Sequence, residues 1–322
     1  MPMTRGLYDP SRGIIHNGYH AREMSCESEH MNNASTSFGT GVSPALGDAP
    51  SSPIADFFQE TSALTRRLFI QLKRRPTTLI AGIIQPLVFL ILFGALFQGA
   101  PKGTFVPGDS YLEFLAAGII VFTAFGGALN SGVAIIFDRE FGFLNRILVA
   151  PLTTRFAIVM ASAIFIIFLS LVQTAAVLAL SLVLGAKFAA GIGGLFVLTL
   201  AIGLLVLGFT ALSLGLAFGM PGHVEMLALI FVVNLPLLFA STALAPITFM
   251  PSWLQVVVSL NPLTHAIEPV RYLYTNSEWS WTTTMFQAPW GAMSLQACLF
   301  ALLIFDLVAV GLSGLLIKKA LG

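Results

Sequence analysis

Charge is scarce in this 322-residue chain. Asp, Glu, Lys and Arg make up 10% of it, where an ordinary soluble domain carries about 25%. Hydrophobic residues fill 56%, and the mean hydropathy is +0.87. Such a chain cannot cover a water-facing surface with polar groups, so lipid is the expected solvent. A net charge of +1 carries no footprint for nucleic acid. The two cysteines, Cys26 and Cys298, stand far apart, which excludes a disulfide framework or a Cys-based metal site.

Motifs for chemistry are missing as well. The lysines at 73, 102, 187, 318 and 319 follow Leu72, Pro101, Ala186, Ile317 and Lys318, never Gly. A Gly-x-x-x-x-Gly-Lys phosphate loop is therefore absent, and any ATP would be hydrolysed elsewhere. There is no His-Glu-x-x-His and no Gly-x-Ser-x-Gly elbow. His16, His20 and His30 lack metal-ligand spacing. The expectation is a protein that is not an enzyme and needs no cofactor or metal.

What is present is a series of long apolar runs. Residues 1–52, rich in Ser, Gly, Asn, Pro and His, have no apolar period and read as a disordered tail. They lack the apolar core of a secretory leader, so a later span must drive insertion. From residue 53 the pattern changes. Ile54, Phe57, Phe58, Leu64, Leu68 and Leu72 recur on one helical face beside Arg66, Arg67, Lys73, Arg74 and Arg75, the pattern of an amphipathic helix in the membrane interface; a plain basic flank to the first span is the other reading. A helix needs roughly 20 apolar residues to cross a bilayer. Six runs are read as spans, at 77–98, 112–137, 156–184, 192–218, 226–248 and 293–317. The fold class expected is all-α and polytopic, with residues 53–322 forming the membrane domain.

Orientation follows from the basic residues. Arg66, Arg67, Lys73, Arg74, Arg75, Arg139, Arg146, Arg155, Lys318 and Lys319 fall on one side of a six-span layout. Lys102, Lys187 and Arg271 fall on the other. Ten against three places both termini in the cytoplasm, in the plasma (inner) membrane. Between spans five and six, residues 250–264 are apolar but broken by Pro251 and Pro262, with Trp253 and Asn261 between them and Arg271 beyond. Each half is too short to cross. A re-entrant outer hairpin of two half-helices fits this pattern, and so does an amphipathic helix lying flat on the surface.

Polar residues inside the spans are few: Gln85, Asn234 and Asp306. Asp306 suits a transport path or a protonated structural group bonded to a neighbouring helix. The most informative polar cluster lies between spans two and three, with Asp138, Arg139, Glu140, Phe141, Gly142, Leu144, Arg146, Leu148 and Pro151. Phe141, Leu144 and Leu148 fall near one helical face. A short helix with apolar anchors and a charged rim suits docking on another protein, and equally packing on its own bundle. His223 and Glu225, in the turn between spans four and five, make a second candidate cytoplasmic contact.

The run Asp138-Arg139-Glu140-x-Gly142-x-Leu144-x-Arg146-x-Leu148-x-x-Pro151 resembles the type-2 ABC exporter permeases, which include membrane subunits of daunorubicin-resistance and nodulation-factor exporters. The basic entry helix, Gln85-Pro86, and Asn261-Pro262-Leu263-Thr264 with Arg271 are similar to that family too. The likeness covers about residues 55–320, and the long N-terminal tail departs from it. The resemblance implies a permease that works as two copies with two cytosolic ABC ATPase subunits, surrounded by membrane lipid. It makes residues 138–151 the coupling helix. Phe141, Leu144 and Leu148 would enter a groove of the ATPase, while Asp138, Arg139, Glu140 and Arg146 set polar register. The apolar interior suits an amphiphilic cargo such as a drug, a lipid or a lipid-linked glycan. Two other classes stand beside this one. An ion-coupled secondary transporter or channel would use Asp306. An intramembrane lipid enzyme would need clustered acids at a membrane face, and none is present.

Overall fold

Prolines and glycines set several of the helix ends in this chain. The computed structural model describes residues 53–97, 111–142 and 156–321. The expected tail at 1–52 lies outside the described residues. So do Leu144, Arg146, Leu148 and Pro151.

Helix α1 (Pro53–Arg74) has Asp56 in its first turn and Lys73 and Arg74 in its last, so its charges oppose the helix dipole. It ends because Arg75 precedes a proline, which disfavours helical backbone at 75. Pro76 then opens α2 (Pro76–Leu96). Next come α3 (Tyr111–Glu140), α4 (Phe156–Val183), α5 (Gly191–Gly219) and α6 (His223–Phe239). A single 3-10 turn (Ile247–Phe249), α7 (Ser252–Leu260) and α8 (Pro262–Thr275) follow. A hairpin of β1 (Thr284–Ala288) and β2 (Gly291–Ser294) leads into α9 (Leu295–Leu321).

Among the described residues five helices, α2, α3, α4, α5 and α9, are long and apolar enough to cross a membrane. The chain is thus a predominantly helical, polytopic membrane protein. The expected fifth span, 226–248, is shorter than its sequence suggests. Helix α6 has 17 residues, about 26 Å at 1.5 Å per residue. It stops at Phe239 because side chains take its terminal carbonyls. The Asn261 amide donates to the Leu237 and Ala240 carbonyls at 2.9 and 2.5 Å, and Ser241 Oγ to the Leu238 carbonyl at 2.6 Å.

The antiparallel hairpin is a local departure from an all-α chain. Thr284 pairs with Ser294 and Ala288 with Gly291. Alternation explains it: Phe286 and Ala288 are buried beside Cys298, while Gln287 between them is exposed.

Helices α3 and α5 form the centre. Helix α3 touches α2, α4, α5, α6 and α8, and α5 touches α3, α4, α8 and α9. Lipid tails are as apolar as leucine, so close packing rather than water exclusion must hold such helices together. Rings link the centre: Phe125 meets Phe209 at 4.6 Å, and Phe209 meets Phe305 of α9 at 4.8 Å. Glycines bring backbones close. A Cβ on Gly118 would lie 2.6 Å from the Ala243 carbonyl oxygen. Ser213 Oγ accepts the Gly132 amide at 3.0 Å and donates to the Leu129 carbonyl. Helix α8 seats against α3, α5 and α9, burying Leu263, Ala266, Ile267, Val270 and Leu273. The amides of Ala189 and Ala190 bond to the carbonyls of Tyr274 and Leu273.

Candidate functional site

The triplet Asp138-Arg139-Glu140 occupies the last turn of α3, one turn further along the helix than the expected end of the second span at 137. Helix α3 closes at Gly142, whose φ of +73° is open to glycine at no steric cost. Successive helical residues point about 100° apart, so the three side chains leave α3 in three directions.

Each finds a different element. Asp138 accepts from Arg67 of α1 at 2.9 Å. Arg139 donates to the carbonyls of Ala217, Met220 and Pro221 at 3.4, 2.5 and 3.1 Å. These carbonyls end α5, where the helix dipole favours a cation. Glu140 accepts the His223 backbone amide at 3.0 Å and sits 2.8 Å from its Nδ1. His223 opens α6, whose N-cap Gly222 offers no side chain, so Glu140 does the capping from another helix. The His223 ring stacks on Phe137 at 4.9 Å, and Phe137 stacks on Phe141 at 6.1 Å.

The described part of the contact predicted at 138–151, residues 138–142, thus lies against His223 of the second predicted contact. Glu225 stands at its edge, and a Cβ on Gly222 would lie 2.9 Å from its Oε2. Phe141 is 81% exposed, a large apolar group at the rim. Arg67 belongs to the site although the sequence reading left it among the flanking bases. Its signal was only its place on a basic helix, because its partner stands 71 residues away.

The remaining predicted residues are dispersed. Gln85 is exposed on α2, and Asn234 is half-buried on α6. Asn130 of α3, not singled out from the sequence, is also exposed, and its amide donates to the Gly126 carbonyl at 2.8 Å. Asp306 is buried between α9 and α5, tight against Gly208. At the other end of the bundle Trp253 is exposed. Asn261 also caps α8, accepting the Leu263 amide at 3.0 Å, and Pro262 opens that helix. Arg271 is buried. It bonds Glu268 at 2.5 Å and the Thr242 carbonyl at 2.6 Å, and its guanidinium lies 3.8 Å from the Phe114 ring centre. Glu268 was not singled out from the sequence, although its i,i+3 spacing from Arg271 on one helix is a signal for this pair. Among the described residues, no three His, Cys, Asp or Glu side chains converge as metal ligands.

A sequence profile of ABC-2 type transporters matches residues 59–275. The chain is similar to transport permeases named ycf38. It is 49% identical to that of Porphyra purpurea over 274 residues, covering 85% of this chain and 94% of the relative. It is 50% identical to that of Cyanophora paradoxa over 278 residues, covering 86% and 94%. More distantly, it is 28% identical over 250 residues to the daunorubicin resistance ABC transporter permease protein DrrB1 of Streptomyces coeruleorubidus, covering 76% of this chain and 83% of the relative. The chain belongs to the ABC-2 type transporter family, as a multi-pass membrane permease subunit.

Proposed function

We propose that the chain is the membrane half of an ATP-driven exporter. Two copies form the path, and two separate ABC ATPase subunits dock on residues 138–151. The family implies an ABC ATPase partner; the copy number and docking site are the proposal. The observation that carries it is the junction at the end of α3. Asp138 ties that end to α1, Arg139 to the end of α5 and Glu140 to the start of α6. A push on the segment after Gly142 would reach three other helices through direct bonds. Packed helices of this kind shift between discrete arrangements rather than bending smoothly.

In this reading both termini are cytoplasmic, and the membrane is the plasma (inner) membrane. Helix α1 lies in its interface. Helix α6 crosses as the fifth of six spans, its shortness met by local thinning of the bilayer. Helices α7 and α8 form the re-entrant outer hairpin, and the tail at 1–52 stays in the cytoplasm. Exposed Gln85 and Asn130 support a covered surface, since amides facing acyl chains are costly. A second copy or the cargo would cover them. Similarity to a permease named for daunorubicin resistance supports an amphiphilic cargo.

The test is co-purification with the ABC ATPase. Leu144→Asp puts a charge on the docking face. Losing a central apolar anchor costs about 2 kcal/mol, roughly thirtyfold in affinity. The variant should insert and dimerise as wild type yet lose its ATPase. Wild-type ATPase stoichiometry would show that this segment does not couple. Transport by the permease alone under a proton gradient would favour the ion-coupled class.

A further inference from the structure

Pro86 stands inside α2, in a helix that runs from Pro76 to Leu96. A proline has no amide hydrogen, so the Gly82 carbonyl, four residues back, loses its helix partner, and the proline ring crowds that carbonyl outward. The opening lies on the packed side of α2, where Pro86 and Leu90 are buried. Ile80, Ile84, Val88 and Ile91 are exposed on the other side. Gln173 of α4 is buried and faces the opening: a Cβ on Gly82 would run into its Nε2. Ser170, one turn before Gln173, has its Oγ 3.9 Å from a Cβ built on Gly127, and Gly127 is near the middle of the 30-residue helix α3. Gln173 and Gly82 therefore meet at hydrocarbon depth.

At that depth an amide and a carbonyl have no water to turn to. The carbonyls around Gln173 are taken by its own helix, which runs from Phe156 to Val183. The acceptor open to the Gln173 amide is the carbonyl that Pro86 frees. We propose that Gly82 and Pro86 form a hinge in α2, and that Gln173 is the positioning residue that latches it, its amide donating to the Gly82 carbonyl. Latched, the inner end of α2 is held to α4. Released, it swings about Gly82 while the outer end stays on α3, where the Phe97 and Tyr111 rings lie 4.5 Å apart. An interhelical hydrogen bond in a membrane shifts an equilibrium by only about threefold, because the competing state finds partners too. Such a bond suits a latch that opens. The inner end of α2 follows directly on α1, which Arg67 ties to Asp138 of α3, so a displacement at the end of α3 reaches the hinge along the chain. The hinge is a property of this chain and holds whether or not an ATPase docks.

The experiment is a double-mutant cycle on the full chain in mixed micelles, unfolded by SDS. Gln173→Met keeps the length of the side chain and removes the donor. Pro86→Ala returns an amide hydrogen to the Gly82 carbonyl. With Pro86 in place, Gln173→Met should raise the unfolding constant about threefold. In the Pro86→Ala background Gln173 has lost its acceptor, so the same substitution should leave the constant unchanged or lower it. Equal factors in the two backgrounds would show that Gln173 only fills space, and would overturn the latch. The hinge itself is read as a distance. Thr77, before the hinge on α2, and Ala175, beside Gln173 on α4, are both exposed. Spin labels on Thr77→Cys and Ala175→Cys are placed in a background with Cys26→Ser and Cys298→Ala, and the labelled chain is diluted with unlabelled chain in nanodiscs. Gln173→Met should broaden the distance distribution, and Pro86→Ala added to it should narrow the distribution again. A distribution that Gln173→Met leaves unchanged, or that stays broad with Pro86→Ala, would overturn the hinge.

Discussion

Gly215 of α5 and Ser313 of α9 approach so closely that a Cβ on residue 215 would lie 2.7 Å from the Ser313 Cα. The small-residue row Ala211, Gly215 and Gly219 suggests close helix approach, and at Gly215 the partner is a helix of the same subunit. Overpacking a tight contact costs about 1–3 kcal/mol. Gly215→Leu should reduce monodisperse yield and lower the thermal midpoint. Nothing stands within 4 Å of a Cβ built on Gly219, so Gly219→Leu should behave as wild type. Equal midpoints for the two variants would refute this packing.

The Arg67–Asp138 pair is partly exposed, with side-chain accessibilities of 25% and 28%. Such pairs contribute about 0.2–1 kcal/mol, so the expected signature is a coupling and not a collapse. Arg67→Asp and Asp138→Arg should each lower the ATP hydrolysis of the assembled complex. The double swap should recover much of it. A strictly additive double mutant would mean that α1 is not tied to α3 through this pair.

Asn261 serves two helices at once, so its substitutions should separate. Asn261→Asp keeps the acceptor for the Leu263 amide but loses the donor to Leu237 and Ala240. It also sets a carboxylate against two carbonyl oxygens. The cost of buried polar atoms left unpaired is about 1–3 kcal/mol. Asn261→Asp should destabilise more than Asn261→Ala, read as thermal midpoints in nanodiscs. The reverse order would show that capping α8 matters more than ending α6.

Sidedness is tested at Ser277, which is exposed beyond α8. In a background with Cys26→Ser and Cys298→Ala, Ser277→Cys should react with an impermeant maleimide only from outside. Reaction only from the cytoplasmic side would invert the proposed topology.

Apolar run length, by itself, determined the membrane class and the limits of the five long helices to within a few residues, because hydropathy is a local sum along the chain; it also read a sixth span at 226–248, where helix α6 stops at Phe239. The break at Arg75 is local as well, since the proline that follows it disfavours helical backbone there. Only the tertiary structure decided where α6 ends, because Asn261 reaches back 24 and 21 positions to take its carbonyls. The junction lay equally beyond local reading. Arg139 meets Met220 across 81 positions and Glu140 meets His223 across 83. A pattern of acids and bases shows that charges exist at the end of a helix; which dipole ends and which bases they meet depends on how α1, α5 and α6 pack around α3.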